Sequence, residues 1–168
     1  MEYKILFICL GNICRSPAAE GILKDMVLER KLEHLIQVDS AGLGSWHTGQ
    51  LPDERMRRTA LKRGYDLTSR ARQVRTYDFS AFDMIIAMDD SNYDDLRSLC
   101  PDPENLCKIR RIREFFSPGT RLDHVPDPYY MGHDGFEQAL DLLEDACRNL
   151  LDHLMSAKGP LKTPSDNV

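Results

Sequence analysis

The sequence predicts an α/β fold, a small doubly wound sheet of four parallel strands with helices on both faces. Three observations lead there. Short runs that are apolar at almost every position, such as Ile5-Leu6-Phe7-Ile8 and Met84-Ile85-Ile86-Ala87, have the character of strands covered on both sides. Between them lie longer segments whose apolar residues recur at helical spacing. The 168 residues suffice for one domain with a real core, and no internal repeat or composition shift divides them.

In chain order, residues 4–8 form the first strand, followed by a short Gly-containing loop. Ser16-Pro17 reads as an N-cap with proline at the first helical position. Behind it Ala19, Ile22, Leu23, Met26 and Val27 lie on one helical face. Residues 35–38 are a second strand, ending at Asp39-Ser40-Ala41-Gly42. Residues 42–52, with Gly42, Gly44, Trp46 and Gly49, are a long surface loop. A basic helix over 53–63 is closed by Gly64. Residues 84–88 are the third strand, 91–99 a helix and 108–112 the fourth strand. Residues 119–135 are irregular. The final helix, 136–155, carries Phe136, Leu140, Leu143, Cys147, Leu150, Leu151 and Leu154 along one face. One domain thus spans 1–157. The remainder, 158–168, has two prolines and no apolar pattern, and is expected to be a disordered tail.

Composition excludes several classes. Hydrophobic content of 42% and charged content of 29% are those of a soluble globular protein. A net charge of −5 argues against nucleic-acid binding. No apolar run approaches the roughly 18–20 residues that a membrane span needs. The apolar N-terminal stretch is short and lacks a small-residue cleavage site, so it reads as a strand and not a signal peptide. Five cysteines at irregular spacing make no secreted disulfide framework. The absence of Cys-x-x-Cys and His-x-x-x-His pairs leaves no zinc pattern, and no metal or cofactor is expected. A reducing, cytoplasmic setting fits this cysteine usage.

The chemistry is concentrated after the first strand, in Cys9-Leu10-Gly11-Asn12-Ile13-Cys14-Arg15-Ser16. Gly11 and Asn12 tolerate positive φ, so the backbone N–H groups of the loop can converge on one point. The following helix N-terminus adds partial positive charge there. Such a ring suits a tetrahedral dianion, inorganic phosphate or another oxyanion, and Arg15 can grip two of its oxygens. Cys9 opens the loop beneath the anion, where the same dipoles stabilise a thiolate nucleophile. The Ser16 hydroxyl can donate to that sulfur. Cys14 lies in the same loop and could trap an oxidised Cys9 as a disulfide.

This loop resembles the phosphate-binding loop of low-molecular-weight protein tyrosine phosphatases. The resemblance runs from about Lys4 to about Leu154. It takes in Asp39-Ser40-Ala41-Gly42, Trp46, Ala71-Arg72-Gln73, Met88-Asp89-Asp90-Ser91-Asn92 and Asp127-Pro128-Tyr129-Tyr130. It implies a nucleophile at Cys9, a phosphate clamp at Arg15 and a general acid at Asp127, acting without metal on phosphotyrosine-containing proteins. It also implies that Asn12, supported by Ser40, holds the loop in shape. Animal members add a histidine to that network, and Ser69 or a water is expected to take its part here. Leu10, Trp46, Tyr129 and Tyr130, with His47 at the rim, would wall a cleft for a phenyl ring. Relatives that act on phosphoarginine carry threonine at the position of Ile13, so the isoleucine favours phosphotyrosine.

Two other readings compete. A thiol-linked arsenate reductase shares the loop, and Cys100 and Cys107 could suggest its relay. The strand-end position of the first relay cysteine, however, holds Asp89. A phosphoprotein-binding module without catalysis would be expected to lack Cys9, Arg15 or Asp127, and all three are present.

Overall fold

The computed structural model describes residues 2–156 and 159–161. The strands are β1 (Tyr3–Cys9), β2 (Ile36–Gly42), β3 (Met84–Ala87) and β4 (Ile109–Arg111). The helices are α1 (Arg15–Glu29), α2 (Glu54–Leu61), α3 (Asp78–Ala81), α4 (Asp90–Leu99) and α5 (His133–Met155). All strands pair in parallel, in the order β2-β1-β3-β4.

The continuous apolar run of β1 has a direct cause. Ile5, Phe7 and Cys9 face a core shared with Ala19, Ile22 and Leu23 of α1 and Leu140, Leu143 and Cys147 of α5. Leu6 and Ile8 face a second, smaller core with Phe79 of α3 and Leu96 of α4. Side chains alternate across the strand, so both faces must be apolar. The helix face read from the sequence is the buried one: Ala19, Ile22, Leu23 and Val27 are each at most 2% exposed.

Several boundaries differ from the sequence-based expectation. β2 does not stop at Val38. Asp39-Ser40-Ala41-Gly42 stays in register with β1 up to the pair Cys9 and Gly42, because ladder hydrogen bonds outweigh the weak strand propensity of Asp, Ser and Gly. Ser16 does not cap α1. Cys14 occupies the cap position without a side-chain bond, and Ser16 and Pro17 lie in the first turn, where a missing N–H costs nothing. α4 begins at Asp90 behind the cap Asp89, and α5 begins at His133, in an exposed first turn that the apolar pattern could not mark. β4 is trimmed by 3-10 segments at Pro103–Lys108 and Ile112–Phe115. Past α5 the described residues 159–161 return to the end of that helix. Leu161 is buried, and its N–H donates to the Leu154 carbonyl at 3.1 Å. Residues 162–168 lie outside the described residues.

Candidate active site

β1 ends in mid-sheet. Its crossover through α1 leads to β2 on one side, while β3 lies on the other. An open α/β sheet leaves a crevice at the carboxyl end of such a strand, and the loop from Cys9 to Arg15 fills its floor.

The loop turns its carbonyls outward. Those of Cys9 and Leu10 accept from the Leu43 and Gly44 N–H groups at 3.0 and 2.9 Å, and that of Ile13 accepts from Asp53 at 2.7 Å. Among the described residues, the N–H groups of Gly11, Asn12, Ile13 and Cys14 have no protein acceptor. Together with the free donors of the first turn of α1 they form a cluster of donors whose geometry suits an anion.

Only Asn12 uses the left-handed backbone expected of the Gly11-Asn12 pair, with φ of 58°. Its side chain holds it there. Asn12 Nδ2 donates to Ser16 Oγ at 2.8 Å and to Ser40 Oγ at 3.0 Å, and Asn12 Oδ1 accepts from the Arg72 N–H at 3.0 Å. Ser40 in turn donates to the buried carboxylate of Glu20 at 2.6 Å. Ser69 is not part of this network: neither Asn12 nor Ser40 bonds to it, and Glu20 and the Arg72 N–H complete the set. Gly42 permits the close approach of β2. A Cβ there would stand 3.1 Å from the Asn12 Cβ and N and from the Gly11 carbonyl carbon.

Cys9 Sγ lies 3.0 Å from Ser16 Oγ, so the hydroxyl displaced from the cap position can donate to the sulfur. Arg15 is 3% exposed, and its Nη1 donates to Asp89 Oδ2 at 2.7 Å and to the Val125 carbonyl at 3.0 Å. Burial works against its charge, but Cys9, Asp89 and Asp127 outweigh burial and hold the guanidinium above its usual pKa. The other oxygen of Asp89 caps α4 through the Asn92 N–H at 2.8 Å. Asp127 stands opposite: its Oδ2 is 3.7 Å from Arg15 Nη2, and its Oδ1 accepts from the Tyr129 N–H at 3.1 Å. That second bond starts a 3-10 turn, Pro128–Tyr130, which fixes the carboxylate at the rim.

Cys9, Arg15 and Asp127 share one cleft of about 320 Å³ with Leu10, Ile13, Trp46, His47, Tyr129 and Tyr130. All were singled out in the sequence. Cys100 and Cys107 do not line this cleft.

A family model described as low molecular weight phosphotyrosine protein phosphatase matches residues 4–159. The chain belongs to that family. It is 42% identical to a low-molecular-weight protein-tyrosine-phosphatase of Streptomyces coelicolor, over 90% of this chain and 93% of that one. A protein tyrosine phosphatase from Entamoeba histolytica, solved with Hepes in its active site, superimposes with a TM-score of 0.88 at 45% identity, covering 91% and 97% of the two chains. A Drosophila structure described as an arginine phosphatase gives 0.86 at 36% identity, covering 92% and 99%.

In this member of the low-molecular-weight phosphatase family, three supporting residues escaped the sequence reading. Glu20 had a visible signal: it stands one turn after Ser16 on an otherwise apolar helix face, and polar groups there are buried only with a partner. Asp89 entered the sequence reading as the residue standing where a relay cysteine would be, whereas it serves as the partner of Arg15 and the cap of α4. Arg55 had no signal. It donates to the Tyr129 carbonyl at 3.1 Å and stacks 5.4 Å from the Tyr129 ring centre, steadying the cleft wall from behind.

Proposed function

We propose that the chain hydrolyses phosphotyrosine in protein substrates through a phosphocysteine formed on Cys9. The observation that carries this is that Cys9 and Asp127 open onto one cleft with the Arg15 guanidinium between them and unpaired loop N–H groups below. The phosphoryl group would sit in the loop, its oxygens taken by the N–H donors and by Arg15. Cys9 Sγ attacks phosphorus in line, and the P–O bond to the phenol breaks. Asp127 gives its proton to the departing phenolate oxygen. Asp127, now a carboxylate, then takes a proton from a water that attacks the phosphocysteine. Inorganic phosphate leaves, and the Cys9 thiolate returns, stabilised by the Ser16 hydroxyl.

Phosphotyrosine is favoured as substrate by the walls. Tyr129 and Trp46 flank the cleft, and the Ile13 side chain adds apolar surface where a guanidinium would need a polar partner. The Cys14 thiol suits a resolving role. Burial, reinforced by Asp53, pushes its pKa upward, so peroxide meets Cys9 first. Peroxide oxidises Cys9 to the sulfenic acid with loss of water, and Cys14 then attacks that sulfur, releasing a second water and leaving a disulfide.

The test is hydrolysis of a phosphotyrosine peptide in the presence of a chelator, with a phosphoarginine peptide alongside. Release of phosphate from the first, abolished in Cys9→Ser and blocked by vanadate, is the expected result. Preferential turnover of phosphoarginine would replace the substrate assignment, and full activity in Cys9→Ser would end the mechanism.

A further inference from the structure

A second groove of about 250 Å³ adjoins the cleft behind Tyr129, between α2 and the start of α5. Arg55, Arg58 and Lys62 line it from α2 and His133 from α5, over a floor of Phe136. Among the described residues, no carboxylate lines it. This concentration of cations stands out on a chain whose net charge is −5.

The partners of these cations leave the groove positive. Arg58 pairs with Glu54 at 2.8 Å, but both side chains are about 70% exposed, and such a pair exchanges readily for another anion. Glu137, which is 3.6 Å from His133, is already bonded to Arg63. Lys62 forms no ion pair among the described residues. Arg55 is tied to Asp53 at 2.9 Å and stacks on the Phe136 ring at 4.9 Å, so it forms a fixed wall between groove and cleft.

We infer that this groove binds an acidic side chain, Asp or Glu, of the substrate peptide within about three residues of the phosphotyrosine. The inference rests on the phosphotyrosine reading given above. The two cavities are separated by one layer of side chains, Tyr129 and Arg55, and an extended peptide advances about 3.3 Å per residue. A side chain two or three positions from the bound phosphotyrosine therefore reaches Arg58 and Lys62. A carboxylate there meets cations that no group among the described residues neutralises firmly, and the contact adds to substrate capture without touching the reacting atoms.

The experiment compares a phosphotyrosine peptide with alanine at all flanking positions and six peptides carrying one Glu at each position from −3 to +3. Para-nitrophenyl phosphate serves as the control for the chemistry. One or two Glu positions on the same side should raise kcat/KM about three- to tenfold through KM, and the gain should fade at high salt. In the double variant Arg58→Ala, Lys62→Ala the gain should vanish, while the all-alanine peptide and the nitrophenyl ester keep their rates. In Arg58→Glu, Lys62→Glu a Lys at the same position should become the preferred residue. Equal rates for all seven peptides, a gain indifferent to position, or a gain surviving in both double variants would overturn the groove assignment while leaving the cleft reading intact. Failure of the all-alanine phosphotyrosine peptide, with nitrophenyl phosphate still turned over, would instead remove the substrate reading and the groove with it.

Discussion

Two aspartates lie within reach of Arg15, and their bonds divide the work between them. Both oxygens of Asp89 are occupied, one by Arg15 and one by the cap of α4. Asp127 has one oxygen committed to the Tyr129 N–H and the other open to the cleft. An acid must have an oxygen free for the leaving group, which favours Asp127 for the proposed acid role. Asp127→Asn is expected to slow the phosphorylation step roughly 10²-fold or more for phosphotyrosine, whose phenol has a pKa near 10. The loss should be clearly smaller for para-nitrophenyl phosphate, whose leaving group is far more acidic. Pre-steady-state rates make the comparison, and equal slowing for both esters would remove Asp127 from the role. In Asp89→Asn the cap is kept, since Asn caps as well as Asp, but the buried guanidinium loses its anion. We expect kcat/KM to fall about tenfold with melting temperature shifting little. A large loss of stability with unchanged kinetics would contradict this division. At Cys9 and Cys14, peroxide inactivation should be reversed by dithiothreitol in the wild type. In Cys14→Ser over-oxidation of Cys9 should make it irreversible. Irreversible loss in the wild type as well would exclude the resolving thiol.

Between elements, one residue supplies the ion pairs that clasp the end of α2 to α5, beside the apolar contacts of Met56 and Ala60. Arg63 follows α2 and bonds Glu137, Asp141 and Glu144 on successive turns of α5. The Arg63 bond holds the Glu137 carboxyl below the usual carboxylate pKa. A depressed folded pKa contributes stability that is fully present above the unfolded value, near 4.5, and is lost as pH falls through the folded one. Arg63→Ala should therefore cost about 1 kcal/mol at pH 7, a modest figure because the carboxylates are partly exposed, and distinctly less near pH 3. Denaturant unfolding at the two pH values measures it, and an equal cost at both would refute the linkage. The α2 helix itself was legible from its basic pattern and from Gly64, while this clasp was not, because no sequence rule pairs residues 63 and 137 before the topology is known. Short elements were illegible for another reason. α3 has four residues, and β4 has three between 3-10 turns, too few to show a period.

At the scale of the whole molecule, the apolar run of β1 and the pattern of α1 and α5 determined the parallel sheet. The strand order did not follow from them, since it depends on which side each crossover takes. That Cys9, Arg15 and Asp127 would meet in one cleft was readable because the proposed chemistry constrains their residue types. The support of the loop was only half readable, as Ser69 shows, because buried networks accept several solutions of equal geometry. The outward carbonyls and inward donors of that loop also have a thermodynamic consequence. With no anion in place, parallel N–H dipoles crowd one point and repel one another. Any tetrahedral oxyanion that binds there favours the native state over the unfolded chain, by about 2.7 kcal/mol at a concentration 100 times its Kd. For a domain of this size the melting temperature should rise roughly 5–10 °C in phosphate or vanadate relative to chloride at equal ionic strength. The rise should persist in Cys9→Ser and largely disappear in Arg15→Ala; its absence in the wild type would mean that the loop donors do not hold the anion. The same linkage makes the product of the reaction a competitor of the substrate, so turnover in a phosphate-rich medium is slowed by the very occupancy that protects the fold.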